Sequence, residues 1–183
     1  MIRVSFNDGW EFRPRVSPFA ELGGAAAPYQ PVPLPHDAMI WQPRVSAEGG
    51  ASAYFPGGAF EYRKAFAVPE EYRGRRILVE FEGVYRDAMV YVNGDYAGQR
   101  PYGYSLFRVD ASPFLRFGED NEIRVEARAH NDSRWYTGAG IYRDTWLLAG
   151  GLVRIAADGV RVTTPDIDAC LLYTSDAADD LTR

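Results

Sequence analysis

Residues 130–146 read His-Asn-Asp-Ser-Arg-Trp-Tyr-Thr-Gly-Ala-Gly-Ile-Tyr-Arg-Asp-Thr-Trp, and this run gathers the side chains best suited to holding a polyol. Flat aromatic faces complement the C–H-rich faces of sugar rings, while Asp and Arg hold hydroxyls in forked hydrogen bonds. That mixture, set around a Gly138-Ala139-Gly140 hinge, favours a sugar over a lipid or a nucleic acid. A second reading stays open at this point. Trp135 and Tyr142 would then anchor the loop, and Arg134 and Arg143 would pair with neighbouring carboxylates.

The elements that must position this run are strands. In Glu122–His130 the apolar Ile123, Val125, Ala127 and Ala129 alternate with charged residues, the period of a half-buried strand. Arg76–Glu82 repeats the pattern with Ile77, Val79 and Phe81, and Arg86–Asn93 places Ala88, Val90 and Val92 on one face and Met89 and Tyr91 on the other. The dipeptide Asn93-Gly94 suits the positive φ angles of a tight turn, so a hairpin is expected over Asp87–Gln99. Further strands are expected at Ile2–Phe6, Trp10–Arg13, Phe60–Val68, Ser105–Val109, Ile141–Leu148 and Leu152–Ile155. Only short helical turns are expected, at Pro69–Gly74 and Asp110–Phe117. Arg15–Pro35, rich in Pro, Ala and Gly, reads as a long irregular connection. Many short strands joined by Gly/Pro turns predict an all-β protein, a β-sandwich or jelly roll.

Composition narrows the function. The chain has 183 residues, with 20 basic against 25 acidic side chains and a net charge of −5. With no basic block, it lacks the charge pattern of a nucleic-acid or anionic-membrane partner. Cys170 is the sole cysteine and His36 and His130 are the only imidazoles, which argues against a disulfide, a metal site or a cofactor. No stretch has the length of a membrane span, and a cytoplasmic protein is expected.

Five spaced motifs carry a family resemblance: Phe6–Phe12 around Trp10, Val32–Ile40 with Pro35-His36-Asp37, Phe81–Gly94, Tyr102–Phe107 with Tyr102-Gly103-Tyr104, and Trp135–Trp146. Together, over about residues 1–150, they resemble the N-terminal sugar-binding domain of glycoside hydrolase family 2, which contains β-galactosidases, β-glucuronidases and β-mannosidases. The resemblance implies a galactose-binding-like jelly roll over 1–156. It also implies that 157–169 begin an immunoglobulin-like sandwich and that the two catalytic glutamates belong to a barrel outside these motifs. Residues 170–183 lack any strand or helix period. Because Cys170–Asp180 resembles a translated sequencing adapter, this tail is read as artefactual or disordered.

In such a domain the loop before the Gly-Ile-Tyr-Arg segment reaches toward the sugar. The resemblance therefore implies substrate contacts from Asp132, Arg134, Trp135 and Tyr136, with Asp132 binding a hydroxyl, and from Tyr54 and Phe55 on a second rim loop. Arg143 and Asp144 are candidates for a domain interface. His36 and Asp37 are expected to fix the chain by hydrogen bonds, and Arg86 and Asp87 to pair across the sheet. No catalytic residue is expected in the chain, since retaining hydrolysis needs two carboxylates about 5 Å apart. Neither Glu80 and Glu82 nor Glu119, Asp120 and Glu122 reads as such a pair. A free-standing carbohydrate-binding module and a protein-interaction sandwich remain as alternatives to a sugar-pocket rim, and the assembly state is not legible.

Overall fold

The computed structural model describes residues 1–24, 26–129, 137–156 and 159–163. The chain divides into two compact units, Met1–Gly150 and Gly151–Arg183. The first is a jelly-roll β-sandwich whose described residues form ten strands: β1 (Ile2–Ser5), β2 (Trp10–Pro14), β3 (Gln30–Val32), β4 (Gly58–Ala67), β5 (Arg76–Phe81), β6 (Ala88–Val92), β7 (Asp95–Arg100), β8 (Phe107–Asp110), β9 (Asp120–Ala129) and β10 (Thr145–Gly150). They form a four-stranded sheet, β1-β10-β5-β8, and a six-stranded sheet, β3-β2-β4-β9-β6-β7, antiparallel throughout.

Period-two alternation builds the core. Ile123, Val125 and Ala127 of β9, Phe60 and Tyr62 of β4, Val90 and Val92 of β6, and Ile77, Val79 and Phe81 of β5 are essentially removed from solvent. Each large apolar side chain so buried contributes roughly 1.5–3 kcal/mol. Outward residues of the larger sheet form an ion-pair ladder instead. Glu61 accepts from Arg13, Tyr29 and Arg124, and Glu126 from Arg15 and Arg124. Burial raises the Glu61 carboxyl, but those hydrogen bonds outweigh it and hold the group below the usual carboxylate range. The same contact, with burial first, pushes the Tyr29 phenol up to about 12.

Several elements depart from expectation. The Arg15–Pro35 stretch contains a short helix, α1 (Pro18–Leu22), and β3, which pairs with β2 through Trp10↔Val32 and Phe12↔Gln30. Pro31 is tolerated there because β3 is an edge strand. Leu152–Ile155 is not a strand: β10 ends at Gly150, and Leu152 and Val153 are exposed. The start expected for β10 at Ile141 moves to Thr145, because Gly140–Asp144 bond to neighbouring connections instead of a ladder. Residues 157–169, expected to begin a second sandwich, lie partly outside the described residues.

Strand directions fix where the connections lie. β2, β5, β7 and β9 run toward one end of the sandwich, and β3, β6, β8 and β10 leave it. The β5–β6 and β7–β8 connections, the end of β9 and residues 137–144 before β10 therefore share that end, and segment 33–57 returns to it to start β4. The Asn93-Gly94 hairpin and the short links 68–75 and 111–119 occupy the other end.

Candidate functional site

At the loop-rich end, segment 33–57 is clamped to the chain entering β10. The backbone N–H of His36 donates to the Ile141 carbonyl at 2.8 Å, and that of Ala38 to the Ala139 carbonyl at 2.8 Å. Asp37 closes the clamp: its Oδ1 accepts from the N–H groups of Met39 (2.9 Å) and Ala139 (3.1 Å). Beneath it lies Tyr62, fully buried, whose hydroxyl accepts from the Ile141 backbone and sits 2.8 Å from His36 Nδ1. A neutral imidazole serves this contact in either tautomer, Nδ1 accepting from the hydroxyl or donating to it. Burial lowers the His36 pKa in keeping with this, only partly opposed by the charge of Asp37. Burial likewise raises the Tyr62 phenol. Gly140, at φ +93°, is required here, because a Cβ would fall 2.0 Å from the Tyr62 hydroxyl.

The β5–β6 and β7–β8 connections complete this end with tyrosines. Tyr85 exchanges backbone bonds with Gly140 at 2.9 and 2.8 Å, and the Tyr142 hydroxyl donates to the Gly103 carbonyl at 2.8 Å. Gly103 lies flat on the Tyr85 ring, where a Cβ would come within 2.3 Å. Its neighbours Tyr102 and Tyr104 stay exposed, with ring centroids 5.8 Å apart, and Tyr104 lies 5.2 Å from Tyr85. These two exposed rings were not singled out as contacts from the sequence. Their signal was a glycine between two tyrosines, which reads as a turn until the packing partner of the glycine is known.

Of the expected site residues, Asp132, Arg134, Trp135 and Tyr136 lie outside the described residues, as does His130. Tyr54 is 45% exposed in a left-handed backbone conformation (φ +66°), whereas Phe55 joins the buried core with the Arg44 guanidinium over its ring. Arg143 is exposed above the Tyr142 ring, and Asp144 accepts from the Asn7 amide at 2.8 Å. His36 and Asp37 fix the chain as anticipated. Arg86 and Asp87 do not begin β6: they sit in the connection before it, 3.6 Å from one another.

Glu80 of β5 and Glu82 just past it are committed elsewhere. Glu80 accepts from Arg3 and Arg108, and Glu82 from Arg3 and the Trp146 indole. Among the described residues, no group of three or more His, Cys, Asp or Glu side chains could hold a metal ion, and no helix is long and apolar enough to cross a membrane.

Comparison with known proteins decides the affiliation. The family model for the sugar binding domain of glycosyl hydrolases family 2 matches residues 46–152. The chain belongs to glycosyl hydrolase family 2. This family 2 domain is 38% identical over 173 residues to "Beta-galactosidase BoGH2A" of Bacteroides ovatus, a match covering 91% of the chain and 20% of that protein. It is 29% identical to a "Putative beta-glucuronidase" of Formosa agariphila, over 91% of the chain and 16% of that protein. Among solved structures it resembles a putative beta-galactosidase from Bacteroides fragilis (TM-score 0.75, 30% identity, 91% of this chain and 26% of that one). A beta-glycosidase from Bacteroides vulgatus is similar as well (TM-score 0.77, 30% identity, 89% and 22%). The family 2 chain thus spans about one fifth of the length of these curated relatives.

Proposed function

We propose that this family 2 domain forms one wall of a sugar pocket in a retaining β-glycosidase, and that the bond-breaking glutamates belong to a part of the enzyme outside these residues. The observation that carries this reading is the clamp at the loop-rich end. His36, Asp37 and Tyr85 all bind the Ala139–Ile141 segment, so the chain next to Asp132–Tyr136 is held in one place. A wall that contributes to substrate binding needs such preorganisation, because ordering a loop on binding costs affinity. In this account Asp132 binds a hydroxyl, Arg134, Trp135 and Tyr136 line the sugar, and Tyr54 meets it from the second rim loop, with Phe55 anchoring that loop in the core. Arg143 and Asp144 face the neighbouring domain. The substrate is a β-linked glycoside, the enzyme works in the cytoplasm, and neither nucleic acid nor membrane is a partner.

Domain replacement tests the proposal. Exchanging the matching segment of the Bacteroides ovatus β-galactosidase for this chain is expected to leave β-galactoside hydrolysis measurable, while the isolated chain shows none. Turnover by the purified isolated chain, with contaminating hydrolases excluded, would overturn the assignment of chemistry to another part of the enzyme.

A further inference from the structure

A second set of described groups lies at the loop-rich end. The β5–β6 connection is tied to its neighbours on two sides: the Asp87 N–H donates to the Pro101 carbonyl of the β7–β8 connection at 3.1 Å, and the Arg128 N–H of β9 donates to the Arg86 carbonyl at 2.8 Å. Between them lies an open depression of about 300 Å³, lined by Asp87, Ala88, Met89, Gln99, Pro101 and Arg128. Its polar side chains have bonding capacity to spare. Among the described residues, the Asp87 carboxylate reaches Arg86 only at 3.6 Å and the Arg128 guanidinium reaches Glu126 only at 3.8 Å, both beyond hydrogen-bond length. Asp87 is held with φ +49°, a left-handed conformation that glycine, asparagine and aspartate accept more readily than other residues.

The chain leaving this depression at Pro101 runs directly into Tyr102 and Tyr104. Tyr102 is 63% exposed, and the turn between the two rings is rigid, pinned by the Gly103–Tyr85 contact and by the Tyr142 hydroxyl. The Arg100 guanidinium bonds the Ser105 hydroxyl at 2.8 Å and braces the same turn. Large aromatic rings left in water, yet fixed in place, suit a ligand with a flat C–H face. A carboxylate, an amide and a guanidinium around an apolar floor suit its ring hydroxyls. We propose that this depression and the Tyr102–Tyr104 turn form an accessory sugar-binding site that takes a neutral pyranose ring, separate from the pocket wall inferred above and not dependent on that reading.

The isolated chain itself provides the test, by NMR titration of its backbone amides with methyl β-galactopyranoside. Saturable shifts are expected in segments 85–89 and 99–106, with affinity on the order of millimolar. Tyr102→Ala is expected to weaken binding about tenfold. Asp87→Asn preserves the left-handed backbone and is expected to weaken binding severalfold, with an unchanged melting temperature to show that the fold survives. No saturable shift in these segments, or shifts confined to 137–144 that are indifferent to both substitutions, would overturn the proposal. The second of these results would place the sugar at the pocket wall and leave the wall reading intact.

Discussion

Asp37 shows how much one side chain contributes at this end of the molecule. Its Oδ1 satisfies two backbone donors, Met39 and Ala139, on segments distant in sequence. Removing the acceptor strands both donors, so Asp37→Ala is expected to lower unfolding stability by about 1–3 kcal/mol in urea titrations. Asp37→Asn, which keeps an oxygen in place, recovers most of that loss. His36 adds a pH dependence. Burial puts its folded pKa below the ordinary 6.5, so the unfolded chain binds the proton more readily. The contribution of His36 is therefore fully present above about pH 6.5 and is lost as pH falls through the folded value. Stability measured from pH 7 to pH 5 is expected to decline, with a shallower slope in His36→Gln. The chain-fixing role of these two residues was readable from a His-Asp pair following a proline. Their partner Tyr62 was not, because alternation says only that a residue points inward, never what its hydroxyl will meet.

At the scale of elements, the hairpin at the opposite end illustrates what local chemistry decides. Asn93 adopts φ +51°, and its side chain donates to Phe114 and Asn121 and accepts from the Glu122 N–H. Asn93→Ala loses both the tolerance for that conformation and these bonds, and is expected to cost about 2 kcal/mol or more by thermal or urea unfolding. The turn was legible because Asn-Gly states its geometry locally, and strands such as β5 and β9 were legible because each has one buried face. β3 was hidden: Gln30–Val32 carries a proline, has no alternation, and is a strand only because β2 offers it an edge. The reverse holds at Leu152–Ile155, where apolar residues look like a strand but, among the described residues, no strand pairs with them. Pairing is a property of the partner as much as of the segment.

For the molecule as a whole, family and all-β architecture were legible because motifs spread from Trp10 to Trp146 agree in order. The compact unit ending at Gly150 leads us to place the end of the folded domain between Gly150 and Ala156. Limited proteolysis is then expected to yield a resistant product ending in that interval, and an equally resistant full-length chain would argue against it. The sugar-contacting residues were the least legible, since a loop rich in Asp, Arg, Trp and Tyr reads alike as a binding surface and as a packed anchor. The most direct measurement of the central claim is kcat/KM for β-galactoside hydrolysis by the domain-replaced Bacteroides ovatus enzyme, with and without Asp132→Ala. The wall account predicts a fall of about tenfold to a hundredfold with the melting temperature unchanged, in line with the loss of one hydroxyl-binding carboxylate. An unaltered kcat/KM in a correctly folded variant would contradict it.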